Sequence, residues 1–240
     1  MNNHVTFENV SFSRNGKRVL GPLDLSLTER RIGIVGRNGS GKSTFVRLTC
    51  GLLAPDQGDI RVNGADIYAD RGAALDNVGI IFQNPDHQII FPTVAEEIAF
   101  GLQQKGQNKA TAHLNARVIL RQHGRGHWAD RSSQALSQGE RHYLCLMAVL
   151  AMGPRVILLD EPYAGLDIPS SMQVHRALDA LEQQVILVSH DLAVLEGYDR
   201  VLWIEGGAVV EDGAPKAILK KYKAEMQRKG ELDAGPNASA

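Results

Sequence analysis

Gly36-Arg37-Asn38-Gly39-Ser40-Gly41-Lys42-Ser43 is the stretch of sequence that decides the fold of this chain. It matches the pattern G-x-x-x-x-G-K-[ST], with a short apolar strand at residues 31–35 before it and a helix predicted from Lys42 to about Cys50 after it. Glycines allow consecutive backbone N–H groups to converge on phosphate oxygens, and the helix N-terminus adds positive potential. The stretch therefore predicts a phosphate-binding loop between a strand and a helix.

The residue types in this loop predict a nucleoside triphosphate bound together with Mg²⁺. Lys42 supplies a positive charge for the outer phosphates, and the Ser43 hydroxyl is a ligand for Mg²⁺. The residues predicted to bind phosphate are Gly36, Asn38, Gly39, Ser40, Gly41, Lys42, Ser43 and Thr44.

Strand and helix patterns alternate along the rest of the chain. Val5 to Val10 and Leu23 to Leu27 predict an antiparallel pair, and apolar runs at 78–82, 156–160 and 185–189 have the length of buried strands. Alternation of this kind predicts an α/β core with a mostly parallel sheet. Residues from about 85 to 151 carry helical patterns alone, so they predict an inserted α-helical subdomain. The predicted domain covers residues 1–225, and residues 226–240 are predicted to form a flexible C-terminal tail.

Composition argues against several classes of protein. The 240 residues include 26 basic and 27 acidic side chains, for a net charge of −1, so no basic excess points to nucleic acid. The two cysteines, Cys50 and Cys145, lack CxxC spacing, and a disulfide framework is not expected. No signal peptide and no apolar run of about 18 residues is found. His123 and His127 are separated by glycines and predict surface positions rather than a metal site.

A pair of acidic residues ends the apolar run at 156–160. Asp160 at the strand end suits a contact to Mg²⁺ through water, and Glu161 points the other way, where it suits polarisation of an attacking water. Many strands end in acids, so this pair is weak evidence alone. It becomes a strong catalytic candidate in a chain that also carries the phosphate-binding loop.

Leu136-Ser137-Gln138-Gly139-Glu140 precedes that pair and opens a helix that is predicted to run to about Ala151. A serine and a glycine at a helix N-terminus form a second anion-binding site, although an ordinary capped helix has the same pattern. The order of phosphate-binding loop, LSQGE and Asp-Glu resembles the ATPases of ABC transporters, whose signature is LSGGQ. The resemblance covers about residues 4–225.

The resemblance implies a RecA-like P-loop NTPase core with an N-terminal antiparallel β subdomain and the inserted helices. It implies that the signature residues Ser137, Gln138, Gly139 and Glu140 face the γ-phosphate held by another subunit. The catalytic residues implied are Glu161, His190 as the switch histidine, and Gln83 of the Q-loop. Ser43, Gln83 and Asp160 are the implied Mg²⁺ ligands, and Asp167 belongs to the D-loop that crosses the dimer interface.

Recognition of the adenine ring departs from the family pattern. ABC ATPases usually stack the base on an aromatic residue of the first strands, and the aligned position here is Arg14. A guanidinium plane can stack on a ring. Phe12 lies on the same strand face and is the other candidate.

Within the family, the segment from Ile81 to Gly101 resembles ATPases of energy-coupling-factor importers of vitamins and metals. The ending Tyr198 to Trp203 is most similar to the biotin-uptake branch, with the cobalt/nickel branch next. The implied partners are a second ATPase chain, as homodimer or heterodimer, an integral membrane coupling subunit and a substrate-binding membrane subunit, with no nucleic acid. The implied location is peripheral, on the cytoplasmic side of the cell membrane. Asp86 is expected to meet basic coupling helices.

Two other classes of function remain open at this point. An ABC ATPase that acts on nucleic acid usually has coiled-coil inserts or two cassettes, and this chain has one cassette and no heptad run. A small-molecule kinase would share the phosphate-binding loop, but it leaves LSQGE and His190 unexplained.

Overall fold

A computed structural model describes residues 4–233. The strands are β1 (Val5–Arg14), β2 (Lys17–Leu27), β3 (Arg31–Val35), β4 (Gln57–Val62), β5 (Ala65–Asp66), β6 (Val78–Ile81), β7 (Val156–Asp160), β8 (Gln184–Val188), β9 (Arg200–Glu205) and β10 (Ala208–Gly213). The α-helices are α1 (Lys42–Thr49), α2 (Arg71–Asn77), α3 (Val94–Gln104), α4 (Lys109–Gln122), α5 (Gln138–Ala151), α6 (Ile168–Asp179), α7 (Leu192–Leu195) and α8 (Pro215–Asp233).

Two sheets form the framework, and both were predicted from the sequence. An antiparallel sheet has the order β2-β1-β4-β5, and a six-stranded sheet has the order β10-β9-β3-β8-β7-β6. All pairs in the larger sheet are parallel except β9 with β10. Strands β7 and β8 are buried on both faces, which explains their continuous apolar sequences.

Helix α1 lies between the two sheets and so fixes the loop that precedes it. Phe45 of α1 stacks on Phe7 of β1 with ring centroids 4.9 Å apart. The same core contains Ile34 of β3 and Val188 of β8. On the opposite face of the large sheet, α5 and α6 share a core with the other side chains of β7 and β8. Helix α8 packs against β9, where Tyr222 meets Trp203 with ring centroids 5.3 Å apart. The packed helices on both faces hold the strand ends rigidly in place.

Helices α3, α4 and α5 form the predicted inserted subdomain around a separate core that includes Ile98, Leu120 and Trp128. Each of these helices begins at a side-chain cap. Thr93 and Ser137 form capping boxes, and the Asn108 side chain accepts from the backbone of Thr111. The break predicted near residues 106–108 is therefore confirmed: α3 ends before Gly106, which has φ +88°, and Asn108 caps α4.

Helix α8 differs from the prediction at the C-terminal end. It continues without interruption to Asp233, past the boundary predicted at residue 225. Lys229 Nζ lies 3.0 Å from Glu205 Oε1 of β9. This part of the predicted tail is therefore a helix that packs on the sheet. Residues 234–240 of the predicted tail lie outside the described residues. Between residues 4 and 233, no helix combines the length and apolarity that a membrane span requires.

Candidate active site

A cavity of about 420 Å³ opens where the parallel strands β3, β8, β7 and β6 end. It collects predicted residues that are up to about 150 positions apart in sequence. Its lining consists of Val19, Asn38, Gly39, Gly41, Lys42, Ser43, Thr44, Gln83, Glu161 and His190. Ligands of open α/β sheets bind at the carboxyl ends of strands, so this cavity is the candidate active site.

Lys42 is held in place by the loop itself. Its Nζ donates to the carbonyl oxygens of Gly36, at 2.8 Å, and Arg37, at 3.0 Å. Burial lowers the pKa of Lys42, and the negative charges of Glu161 and Asp160 oppose that shift. The ammonium group therefore stands at the base of the cavity with its direction fixed before any phosphate arrives.

The backbone of the loop explains its glycines. A Cβ at Gly36 would lie 2.1 Å from the carbonyl oxygen of Ile204, so this position has no room for a side chain. Gly41 precedes α1 with φ +110°, a conformation that favours glycine. Ser40 Oγ is buried and has no hydrogen-bond partner within the described chain. An unpaired buried hydroxyl in a cradle of N–H groups fits a phosphate ligand.

Glu161, His190 and Gln83 meet at one point in the cavity wall. Glu161 Oε1 lies 2.9 Å from His190 Nε2, and Glu161 Oε2 accepts from Gln83 Nε2 at 3.4 Å. Glu161 has φ +54° and donates its backbone N–H to the Val188 carbonyl. A left-handed glutamate costs free energy, and such residues concentrate at functional sites. The structure thus brings the three predicted catalytic side chains together, one from each of three strand ends.

The residues present fit a magnesium ion bound together with a triphosphate. The Ser43 hydroxyl and the Gln83 amide line the cavity, and Asp160 ends β7 close enough for its charge to act on Lys42. Hard oxygen ligands of this kind suit Mg²⁺, which takes its remaining ligands from water and phosphate. Within residues 4–233 no group of three or more His, Cys, Asp or Glu could hold a metal. His123 Nδ1 lies 3.1 Å from the Tyr143 hydroxyl.

The LSQGE turn is a rigid helix start outside this cavity. The Ser137 hydroxyl accepts from the Glu140 backbone at 3.2 Å, and Glu140 Oε2 accepts from the Ser137 backbone at 2.8 Å. Burial raises the pKa of Glu140, but the Ser137 N–H and Arg131 outweigh it and lower that pKa below its usual range. Glu140 therefore acts as a cap within this chain. Ser137 is exposed and does not line the phosphate cavity of its own chain.

Comparison with known proteins identifies the family. A family model described as ABC transporter matches residues 20–164. This chain belongs to the ABC transporter family. It is an ABC ATPase, so its nucleotide is ATP.

Curated relatives match nearly the whole ABC ATPase. The biotin transport ATP-binding protein BioM of Rhodobacter capsulatus is 52% identical over 224 residues, which cover 93% of this chain and 94% of that protein. BioM of Rhizobium etli is 39% identical over 92% of this chain and 98% of that protein. Among solved structures, cbiO1 of Clostridium perfringens, part of the ABC transporter complex cbiONQ, has a TM-score of 0.76. Its identity is 26%, and the match covers 95% of this chain and 97% of that chain.

The segment predicted to be the D-loop packs against the LSQGE turn, which is the predicted signature. Asp167 caps α6 by accepting from the Ser170 backbone at 2.9 Å, and hydrogen bonds from Ser170 lower the pKa of Asp167. Gln138 donates to the Ala164 carbonyl at 3.4 Å. A Cβ at Gly139 would lie 2.2 Å from Ser170 Oγ, so the signature glycine permits this close approach. Signature and D-loop therefore form one surface.

The two candidates for adenine stacking do not line the cavity of this ABC ATPase. Phe12 pairs with Leu20 across β1 and β2 and packs against the core, and Arg14 is exposed at the end of β1. Val19 of β2 lines the cavity instead. An aliphatic side chain carries no sequence signal for base stacking, so the sequence did not predict Val19 as a site residue.

A groove of about 480 Å³ lies beside the Q-loop, between the segment 86–92 and the residues around the start of α5. It is lined by Asp86, Ile89, Ile90, Phe91, Pro92, Ser133, Gln134 and Arg141. Asp86 Oδ1 lies 3.0 Å from Arg141 Nε, a partner that the sequence did not predict. The buried Glu97 accepts from the backbones of Ile90 and Phe91 at 2.9 and 2.8 Å, and so it shapes the groove wall.

Proposed function

We propose that this chain is the ATP-hydrolysing subunit of an energy-coupling-factor ABC importer, with biotin as the first candidate substrate. The observation that carries the proposal is the 52% identity to BioM over more than nine tenths of both proteins. The complete catalytic trio and the preformed phosphate loop support hydrolysis. The motif from Ile81 to Gly101, which forms the Q-loop and the groove, supports the importer type.

The proposed reaction is attack of water on the γ-phosphate. The water oxygen bonds to phosphorus, the bond to the bridging oxygen breaks, and ADP and phosphate leave. Glu161 is placed to accept the proton of the water, and His190, 2.9 Å from it, is placed to orient that carboxylate and contact the γ-phosphate. Lys42 stabilises charge on the outer phosphates. When bound, Mg²⁺ would neutralise phosphate charge, held by Ser43, Gln83 and, through water, Asp160.

We propose further that the site is completed by a second chain, in a homodimer or in a heterodimer with a related ATPase. Ser137 is exposed at the start of α5, yet it does not line its own chain's cavity. The free N–H groups of a helix start attract anions, so this turn is suited to the triphosphate of a partner. Because one chain carries both Glu161 and the LSQGE turn, a homodimer would have two competent sites.

The proposed membrane partner docks in the groove beside the Q-loop. Ile90 is 66% exposed there, and Asp86 offers a carboxylate. We expect a basic helix of an integral membrane coupling subunit in this groove, which places the ATPase peripherally on the cytoplasmic side. A separate membrane subunit would bind the substrate. Since Arg141 already pairs with Asp86, the incoming cation must share or displace that contact. Asp86→Lys is expected to uncouple ATPase from transport, and unchanged assembly and transport would reject this docking role.

Uptake measurements test the proposal. Cells in which the gene for this chain is disrupted are given back either the wild type or Glu161→Gln, and uptake of labelled biotin is followed. Wild type alone should restore uptake, and tagged wild type should copurify integral membrane proteins. Normal biotin uptake in the disrupted cells, or restoration by Glu161→Gln, would contradict the biotin assignment.

The cobalt/nickel branch is the second candidate because of the similarity to cbiO1 at 26% identity over almost the whole of both chains. Labelled cobalt and nickel in the same cells distinguish the two. If this gene is needed for uptake of cobalt or nickel but not for uptake of biotin, the second candidate is the correct one.

A further inference from the structure

Two neighbouring side chains in the first turns of α5, Arg141 and His142, reach back to the segment that carries Gln83. His142 is buried, with 2% of its surface exposed. Its Nε2 lies 3.1 Å from the Gln83 carbonyl oxygen, and its Nδ1 lies 3.1 Å from the Gln138 carbonyl oxygen. One imidazole therefore contacts both the Q-loop backbone and the signature turn.

The bond to Gln83 is the one that joins two parts of the chain. A carbonyl oxygen only accepts, and a neutral imidazole has one N–H to donate. The Gln138 carbonyl lies four residues before His142 within α5, where it is already the acceptor for a backbone N–H. Donation from Nε2 to Gln83 therefore satisfies a loop carbonyl and links positions 59 residues apart.

Arg141 makes a second connection between the same two segments. Its Nε lies 3.0 Å from Asp86 Oδ1, and its Nη1 donates to the Leu136 carbonyl at 2.6 Å. Leu136 directly precedes the signature serine, Ser137. The Arg141 side chain is mostly buried, with 23% of its surface exposed, whereas the Asp86 side chain lines the groove with 61% of its surface exposed. The Asp86 carboxylate in the groove is thus connected to the signature turn through one side chain, that of Arg141.

We propose that Arg141 and His142 are positioning residues that tie the segment from Gln83 to Asp86 to the signature turn, so that the two move as one unit. In the two-chain site proposed above, Gln83 lies in the nucleotide site of its own chain, whereas Ser137 contacts the nucleotide that the partner chain binds. The tie then fixes both active sites relative to the groove. It rests on ATP hydrolysis by paired chains, and it does not depend on which substrate is imported.

His142 is tested with two variants of the purified full chain. His142→Leu keeps an apolar side chain of similar size without a donor, and His142→Gln keeps an N–H donor. Loss of one hydrogen bond of about 1.4 kcal/mol predicts a kcat about tenfold lower in His142→Leu. KM for ATP should change less than about threefold, since the phosphate loop is untouched. Amide hydrogen exchange at residues 83–90, measured without nucleotide, should become faster.

His142→Gln should recover most of kcat and of the exchange protection. Equal loss in both variants, or wild-type kcat and exchange in His142→Leu, would overturn the role of His142. Both kcat and hydrogen exchange are measured on the isolated ATPase, so a result that overturns the role of His142 would leave the importer assignment unaffected. Conversely, absence of membrane partners in the copurification would leave these kinetic results unaffected.

Arg141 is tested by a double-mutant cycle that remains informative if His142→Leu fails to fold. Asp86→Asn and Arg141→Gln are measured singly and together for kcat and for exchange at residues 83–90. A shared tie predicts that the double variant is no worse than the more impaired single variant. Effects that multiply in the double variant would show that the two residues act independently, and they would refute the connection.

Discussion

Replacing Gly139 by alanine is expected to separate the signature helix from the D-loop helix. The added Cβ would lie 2.2 Å from Ser170 Oγ and 2.6 Å from Ser170 Cβ. Rotation of the hydroxyl relieves the first contact but not the second, so α5 and α6 must move apart by roughly 1 Å. Overpacking of this kind costs about 1–3 kcal/mol, and alanine regains at most about 1 kcal/mol through its helix propensity. The net loss of stability therefore lies between about 0 and 3 kcal/mol, with about 1–2 kcal/mol at the centre of that range.

Urea unfolding and ATPase rates measure this loss, and Ser170→Gly provides the matched control. With Ser170 reduced to glycine, the nearest remaining atom to the new methyl group is the Cα at 3.8 Å, an ordinary contact. Gly139→Ala combined with Ser170→Gly should therefore be more stable and more active than the two single effects predict. Additive effects, or a Gly139→Ala protein with wild-type stability and kcat, would refute the close packing of signature and D-loop.

Three further outcomes are expected. Lys42→Ala removes a charged donor from the phosphate-binding loop. Titration with a fluorescent ATP analogue should therefore show an affinity for ATP that is weaker by about 10- to 150-fold. Unchanged affinity would contradict the role of Lys42 in phosphate binding. Glu161→Gln should lower kcat by about 10²–10⁴-fold while ATP stays bound. The variant chains should also pair in the presence of ATP, which light scattering measures. A normal rate of hydrolysis would show that Glu161 is not the base. Burial raises the pKa of Glu97, so its proton is held more tightly in the folded chain, and stability falls as the pH rises through the folded pKa. Glu97→Gln should abolish that fall in urea unfolding between about pH 4 and pH 8. Glu97→Ala should cost about 2–4 kcal/mol at low pH, because two backbone N–H groups lose their acceptor, and this cost should shrink as the pH rises. Equal pH dependence in wild type and Glu97→Gln would count against this assignment of the pKa.

The fold and most of the catalytic site could be predicted because their signals are local. The loop from Gly36 to Ser43 carries its function in consecutive residues, and the strand that ends in Asp160 is a continuous apolar run. Ser137 was predicted as the helix cap, and the capping box confirms it. Register between parallel strands then brings Glu161 and His190 to the same edge of the sheet.

The features that could not be predicted depend on contacts between distant segments. The pairing of Asp86 with Arg141 joins residues from two elements, and no periodic pattern records it. Val19 reaches the cavity through the pairing of β1 with β2, whereas Phe12 turns into the core. Helices α2 and α7 have seven and four residues, too few for a helical period to be recognised. Helix α8 extends past residue 225 because Lys229 and other residues dock on the sheet.

Cross-linking between two chains tests most directly whether the signature of one chain completes the nucleotide site of another. Chains with Asn38→Cys and chains with Ser137→Cys are mixed in a Glu161→Gln background, with the part-exposed Cys50 replaced by serine. Addition of ATP followed by mild oxidation should give a disulfide-linked pair in the mixture and in neither chain alone. ATP binding by both chains without any ATP-dependent cross-link would contradict the two-chain site.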